Sequence, residues 1–255
     1  MTEKIAARLH VAQDLPAQAI ELSAAPAHYL RHVLRLERGA AVALFNGRDG
    51  EWEARIDGFG RGSCTLSTLR RLRAMQAEPD LWLVFAPIKR ARLEFLVEKT
   101  TELGVAVLKP VITRHTIVDR VNVERLRATA IEAAEQCERL TVPRLLEAEP
   151  LAKLASAWPA GRRLLVCDET GRSPPIADAL RAAGTDGPWA ILTGPEGGFA
   201  EDELDGLRKL PFVTPVGLGP RVLRADTAAI VAVAVFQALA SDRLGARAPR
   251  RQPDS

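Results

Sequence analysis

The chain is poor in the residues and runs on which several common chemistries depend. Among its 255 residues are three cysteines and four histidines. Cys64, Cys137 and Cys167 lie far apart, with no CxxC pair and no histidine at ligand spacing. That argues against a zinc site or a disulfide framework and fits a reducing compartment. The most apolar stretch, Thr227–Ala240, falls short of the roughly 20 residues that cross a bilayer. The opening MTEKIAARLHV lacks the apolar core of a signal peptide. A cytoplasmic protein without a membrane partner and without metal is therefore expected. No GxxxxGK[ST] loop, no HExxH and no GxSxG elbow is present. After residue 76 only His115 remains, so a histidine-dependent hydrolase has little support.

What is present reads as an ordinary globular composition, with 47% hydrophobic and 26% charged residues. The formal charge of +3 and a pI near 9.0 permit a nucleic-acid partner without requiring one.

Residues 1–75 read as β-rich. Ala41–Phe45, Glu51–Ile56 and Ser63–Leu69 are short apolar or alternating runs, separated by the turn-forming segments Asn46–Gly50 and Gly58–Gly62. Gly58-Phe59-Gly60-Arg61-Gly62 imitates a dinucleotide fingerprint. A strand-like SCTLSTL follows where a helix is needed, so a hairpin turn is predicted. Ahead of these strands, Pro26–Leu36 spaces Tyr29, Leu30, Val33, Leu34 and Leu36 as one face of a short helix. Arg31, Arg35 and Arg38 occupy the other face, with His28 and His32 near it.

Ala74–Asp80 is the predicted linker, and beyond it strand-like and helix-like segments alternate. Leu81–Ala86 is a strand and Lys89–Leu103 a helix stopped by Gly104; Val105–Ile112 is the next strand, and Asn122 caps a helix to about Leu140. Further on come helices Leu151–Trp158, Pro175–Ala183 and Glu201–Leu210, with strands Leu164–Cys167, Ala190–Thr193 and Phe212–Val216. Asp226 is the expected N-cap of a last helix, Thr227–Ser241, whose apolar character all round marks it for burial or an interface. Such alternation means an α/β domain with a mainly parallel sheet over residues 76–243. The Arg- and Pro-rich end, 244–255, reads as a disordered tail.

Two glycine loops leave strands of this domain, Thr193–Gly198 (TGPEGG) and Gly217–Arg224 (GLGPRVLR). Their backbone groups can approach a ligand closely, and strand ends of an α/β sheet are where ligands bind. Neither loop carries a lysine for phosphate, and Glu196 would repel a triphosphate but accept a cation. Among adenosine cofactors this favours S-adenosylmethionine over ATP.

These segments carry a resemblance. GPEGGF at Gly194–Phe199 and LGPRVLRADTA at Leu218–Ala228 resemble the RsmE family of ribosomal RNA methyltransferases. HVLR at His32–Arg35, Lys89, Arg92, KTTELGV at Lys99–Val105 and EAAEQCER at Glu132–Arg139 extend the match in order through nearly the whole chain. The resemblance implies an N-terminal PUA-like RNA-binding β-barrel and a C-terminal SPOUT domain. That domain is knotted, with a mainly parallel sheet and helices on both faces. It further implies a homodimer that uses S-adenosylmethionine to methylate N3 of a uridine in small-subunit ribosomal RNA, free or in the assembled subunit. A SPOUT ribose 2′-O-methyltransferase and a non-catalytic RNA-binding protein remain as alternatives.

On this reading Arg224 is the catalytic candidate, stabilising charge that develops on the uracil oxygens. Its bland alternative is a salt bridge to Glu196 or Asp226. Thr193, Gly194, Pro195, Glu196, Gly197, Gly198, Leu218, Gly219 and Leu223 are the expected cofactor contacts, although Glu196 could equally be a structural loop carboxylate. Arg8, Arg31, His32, Arg35, Lys89 and Arg92 are the expected RNA contacts, and Lys99, Glu102, Gln136 and Arg139 are read as structural or near the dimer interface. Two positions depart from the family pattern. Ala200 lacks the usual hydroxyl before a helix, a loss of about 1 kcal/mol, and Asp226 replaces a glutamate.

Overall fold

A computed structural model describes residues 5–118 and 120–244; the predicted tail beyond Leu244 lies outside them. The chain divides into two compact units, Met1–Glu78 with Arg127–Pro143, and Pro79–Leu126 with Arg144–Ser255. The contiguous division expected from the sequence does not anticipate that Arg127–Pro143 belongs with the first unit.

The first unit holds β1 (Ala7–His10), β2 (Ile20–Leu22), α1 (Ala24–His28), β3 (Ala41–Phe45), β4 (Glu51–Phe59) and β5 (Cys64–Arg73). The strands form one sheet in the order β1-β3-β4-β5-β2, with β1 parallel to β3 and the other pairs antiparallel. Both edge strands feed a single core: Leu9 of β1 and Ile20 and Leu22 of β2 join Leu44, Ile56 and Leu66. The Gly58–Gly62 hairpin is present, closed by the Gly60 N–H donating to the Ser63 carbonyl at 3.0 Å.

The helix predicted at Pro26–Leu36 is wound differently. After α1 the chain takes a π-helical turn, Tyr29–Val33, in which the Leu34 N–H donates to the Tyr29 carbonyl five residues back at 3.0 Å. The wider winding keeps Leu30 buried and Leu34 partly buried but turns Tyr29 and Val33 out to solvent, so a 3.6-residue stripe misplaces them.

Arg127–Pro143 is tied into this unit by charge and by packing. Arg8 pairs with Glu51 and donates to the carbonyls of Ala134 (2.7 Å) and Arg139 (2.6 Å), while its guanidinium stacks on the Phe45 ring at 3.9 Å. The His10 N–H donates to Glu135, Phe45 packs with Ala134 and Leu140, and Arg139 is buried against Glu78 at 2.6 Å.

The second unit alternates as predicted: β6 (Leu81–Phe85), α2 (Arg90–Glu102), β7 (Val107–Ile112), α3 (Val123–Gln136, most of which, from Arg127 on, belongs to the first unit), β8 (Arg144–Leu145), β9 (Glu149–Pro150), α4 (Leu151–Ser156), β10 (Arg163–Cys167), α5 (Ile176–Ala183), β11 (Trp189–Thr193), α6 (Glu201–Arg208), β12 (Val213–Val216) and α7 (Ala225–Leu244). The sheet is parallel, in the order β12-β10-β11-β6-β7-β8, with β9 also on β7. Side chains alternate across it. Val84, Leu164, Val166, Ala190 and Leu192 pack with Leu154, Leu204 and Leu207 of α4 and α6. On the other face Trp189 meets Phe236 of α7 edge-on, at 6.1 Å between ring centroids. Helices thus cover both faces, and the apolar last helix has Ala229, Ala232, Val233 and Phe236 buried. It starts at Ala225 rather than Thr227, so Asp226 sits inside the first turn and is not the N-cap.

Candidate functional site

Strands β10, β11 and β12 run parallel, with Val166 level with Leu192 and Cys167 level with Val216, so the loops that follow them leave one edge of the sheet together. These loops, 168–175, 194–200 and 217–224, line a cavity of about 710 Å³. Thr193, Gly194, Pro195, Glu196, Gly197, Gly198, Leu218, Gly219, Leu223 and Arg224 all border it. Every residue expected at the cofactor is thus gathered around one space.

Each wall is held by its own bonds. The Gly217 N–H donates to the Pro174 carbonyl (2.8 Å) and the Ile176 N–H to the Gly217 carbonyl (3.1 Å), which laces the first loop to the third. In the second loop only Gly198 has positive φ (66°), and a Cβ there would collide with the Glu169 carboxylate; Gly219 also needs a positive φ (113°). Gly194 and Gly197 serve by smallness instead, lying close to the Phe199 ring and to His115. His115 Nδ1 hydrogen-bonds the Gly197 carbonyl at 3.1 Å.

The wall formed by 168–175 was missed in the sequence. Its organiser is Asp168, fully buried, which accepts from Ser173 Oγ (2.6 Å), the Thr170 N–H (2.9 Å) and Arg208 (2.7 Å). Burial alone would raise its pKa, but these donors outweigh burial and hold it at about 2. An Asp-x-Thr run leaving a strand was the available signal, an Asx-type turn with a carboxylate acceptor. Next to it, burial and then the nearby Glu169 push the Cys167 thiol up to about 12, so this cysteine is an inert wall residue.

A smaller cavity of about 450 Å³ adjoins the first. Lys89, Arg92 and Arg224 border it, together with the apolar side chains of Ile88, Ile117 and Val118. Glu196, Arg224 and Ala225 line both spaces. Asp226 is buried and pairs with Arg92 at 3.1 Å. The salt bridge considered for Arg224 is not among the interactions of the described residues; Arg92 takes the place at Asp226.

The expected RNA contacts fare unevenly. Arg31, His32 and Arg35 are exposed around the π-helical turn, where Arg31 approaches the Phe59 ring and the rings of His28 and His32 lie 4.7 Å apart. Lys89 is exposed and Arg92 half-buried in its ion pair. Arg8 is corrected: its side chain is 10% exposed and committed to Glu51, Phe45 and two carbonyls, which leaves nothing for a phosphate. Lys99 pairs with Glu98 and Glu102 on α2, and Arg139 is an internal strut.

The departure at Ala200 is compensated locally. Glu203 accepts the Ala200 N–H at 3.1 Å and the Arg114 N–H at 2.9 Å, so half of a capping box survives without the hydroxyl.

Residues 76–237 match the family of RNA methyltransferase domains, and residues 23–69 the RNA methyltransferase PUA domain. The ribosomal RNA small subunit methyltransferase E of Rickettsia conorii is 34% identical over 84% of this chain and 87% of its own length. That of Synechocystis is 31% identical over 92% and 78%. Among solved structures, the ribosomal RNA small subunit methyltransferase E of Neisseria gonorrhoeae, bound to S-adenosyl methionine, superposes with a TM-score of 0.82. It is 26% identical and covers 91% of this chain and 97% of its own. A Legionella pneumophila methyltransferase in complex with SAM gives 0.80 at 29% identity, over 92% and 98%. With a family match over more than half its length and relatives of this identity, the chain belongs to the ribosomal RNA small subunit methyltransferase E family.

Proposed function

We propose that this chain methylates N3 of one uridine in small-subunit ribosomal RNA, with S-adenosylmethionine as the donor, in the cytoplasm and as a homodimer. The observation that carries the reading is the paired cavity: a larger space walled by three strand-end loops opens beside a smaller, cation-lined one, with Arg224 and Glu196 on both.

The larger space suits the cofactor. Its volume is in the range of small-molecule sites, and backbone of Gly194–Gly198 and Gly217–Gly219 is available to hold adenosine polar groups. Leu218, Leu223 and Ala228 supply apolar surface for adenine, and Glu169 supplies negative charge for a cation. When bound, S-adenosylmethionine supplies an electrophilic methyl group on a positively charged sulfur. The chain's task is then to hold the base out of its stack and in line. Ile88, Ile117 and Val118 offer apolar contact to a flipped base, and Arg224 can donate to a uracil oxygen on which negative charge grows. Lys89 on this unit, and Arg31, His32 and Arg35 on the first unit, would take phosphates. The homodimer reading draws support from the long, largely apolar α7, on which Ile230, Val231, Ala234 and Val235 are only half-buried.

Mass spectrometry of small-subunit ribosomal RNA from a deletion strain, before and after complementation, tests the reading. Loss and return of 3-methyluridine is the expected result. An unchanged level would refute it, and loss of a ribose-methylated nucleotide instead would move the activity to the 2′-hydroxyl.

A further inference from the structure

Among the described residues, Glu196 and Arg224 are the two charged side chains that border both cavities. Of the other charged side chains on these walls, Asp226 is committed to Arg92 and Asp168 to Ser173 and Arg208, while Glu169 and Arg221 border the larger space alone and Lys89 the smaller alone. Glu196 is exposed, and among the described residues neither its carboxylate nor the Arg224 guanidinium takes part in a hydrogen bond or ion pair. An acceptor-only group and a donor-only group therefore stand free where the two spaces meet.

The edge of uracil presents the complementary pattern. Its N3–H is a donor flanked by two carbonyl acceptors, whereas cytosine carries an acceptor at N3 and a donor beside it. A carboxylate facing N3 is attracted by uracil and repelled by cytosine, and a guanidinium suits a uracil carbonyl. We propose that Glu196 is a catalytic residue that accepts the N3 proton of the target uridine and, with Arg224, selects uracil over cytosine. This rests on the base-methylation reading above.

The step balances. The N3–H bond breaks toward a Glu196 carboxylate oxygen while the N3 electron pair forms the N–CH3 bond. The electron pair of the breaking C–S bond stays on the departing sulfur, which becomes neutral. Proton transfer is favourable because N3–H acidifies as N3 gives up its pair, which is the setting for general-base catalysis. Being exposed, Glu196 returns the proton to water.

The test uses full-length protein, wild type and Glu196→Gln, with small subunits reconstituted from transcripts carrying uridine, cytidine or 5-fluorouridine at the mapped position. In cofactor-free binding, wild type should prefer uridine over cytidine by about tenfold, near the lower end for one base-reading contact. Glu196→Gln should abolish that preference, because a carboxamide can also donate to cytosine N3. In single turnover the variant should be slower by about 100-fold or more. The more acidic N3–H of 5-fluorouridine should restore about tenfold of that loss if the missing function is proton removal. Calorimetric affinity for S-adenosylmethionine should stay within about threefold, which also reports correct folding.

A loss of cofactor affinity in step with turnover would overturn the proposal, as would a variant that keeps both rate and discrimination. If wild type forms 3-methyluridine and Glu196→Gln behaves like it, only this proposal fails. If wild type forms none, the base-methylation reading fails and takes the proposal with it.

Discussion

Replacing Asp168 by Asn should loosen the wall of the larger cavity by an amount that pH can titrate. Asp168 is buried and accepts from Ser173, the Thr170 N–H and Arg208. Its pKa is held at about 2 against an ordinary 3.8, a difference worth about 2.5 kcal/mol of folding stability at neutral pH. A depressed folded-state pKa means that this stability is fully present above the unfolded pKa and is lost as pH falls toward the folded one. The pH-dependent part of the gap between wild type and Asp168→Asn should therefore stay near 2.5 kcal/mol from pH 7 to about 5 and shrink to roughly half by pH 3. Urea titrations of both proteins across that range measure it, with the other carboxylates cancelling in the difference. A gap that is constant with pH would refute the electrostatic account and leave only a packing defect. Because 168–175 lines the larger cavity, affinity for S-adenosylmethionine should fall as well, and addition of the cofactor should restore part of the lost stability.

Glu51→Gln should destabilise the first unit by about 3 kcal/mol, since it leaves Arg8 and Arg73 buried or half-buried without their shared carboxylate; thermal unfolding followed by near-ultraviolet dichroism would show it, and an unchanged midpoint would not fit. Arg224→Ala should cut turnover while cofactor affinity stays within about tenfold, or 1.4 kcal/mol; equal losses in kinetics and calorimetry would make Arg224 a cofactor ligand. Arg31→Ala with Arg35→Ala should weaken RNA binding and flatten its dependence on log salt by roughly 0.7–0.9 per arginine, whereas a double variant with an unaltered slope would remove the π-helical turn from the RNA surface.

The sequence made the second unit legible because its strands and helices have clean periods, and glycine loops mark two of its three strand ends. The third wall stayed hidden because its local signal, the Asp-x-Thr run, is weak by itself and one of the three donors to Asp168 is distant: Arg208 reaches it from 40 residues away, which no local pattern records. Arg8 was misread for a related reason. A lone arginine in an edge strand looks solvent-facing until Glu51, Phe45 and the carbonyls of 127–143 surround it. Tyr29 and Val33 were misplaced by assuming a 3.6-residue period where the chain winds wider. Aspartate is often a cap, but Asp226 lies inside the first turn of α7 and its partner Arg92 is a full domain's length away in sequence.

The Gly194–Gly198 loop can keep its geometry without the hydroxyl that position 200 lacks. The Ala86 N–H donates to the Thr193 carbonyl at 3.0 Å, His115 holds the Gly197 carbonyl, and Glu203 joins the Ala200 and Arg114 N–H groups, while both terminal nitrogens of Arg114 fork onto Asp202. The fork is half-exposed and contributes little stability by itself, but together these bonds fasten the loop to β6, to the segment after β7 and to α6. A missing cap of about 1 kcal/mol then falls on a loop already fixed at both ends and in the middle. Within that fastened turn Glu196 is the charged side chain spent on none of the bonds, which is the condition a group must meet if its carboxylate is to exchange a proton with a substrate rather than hold the loop in place.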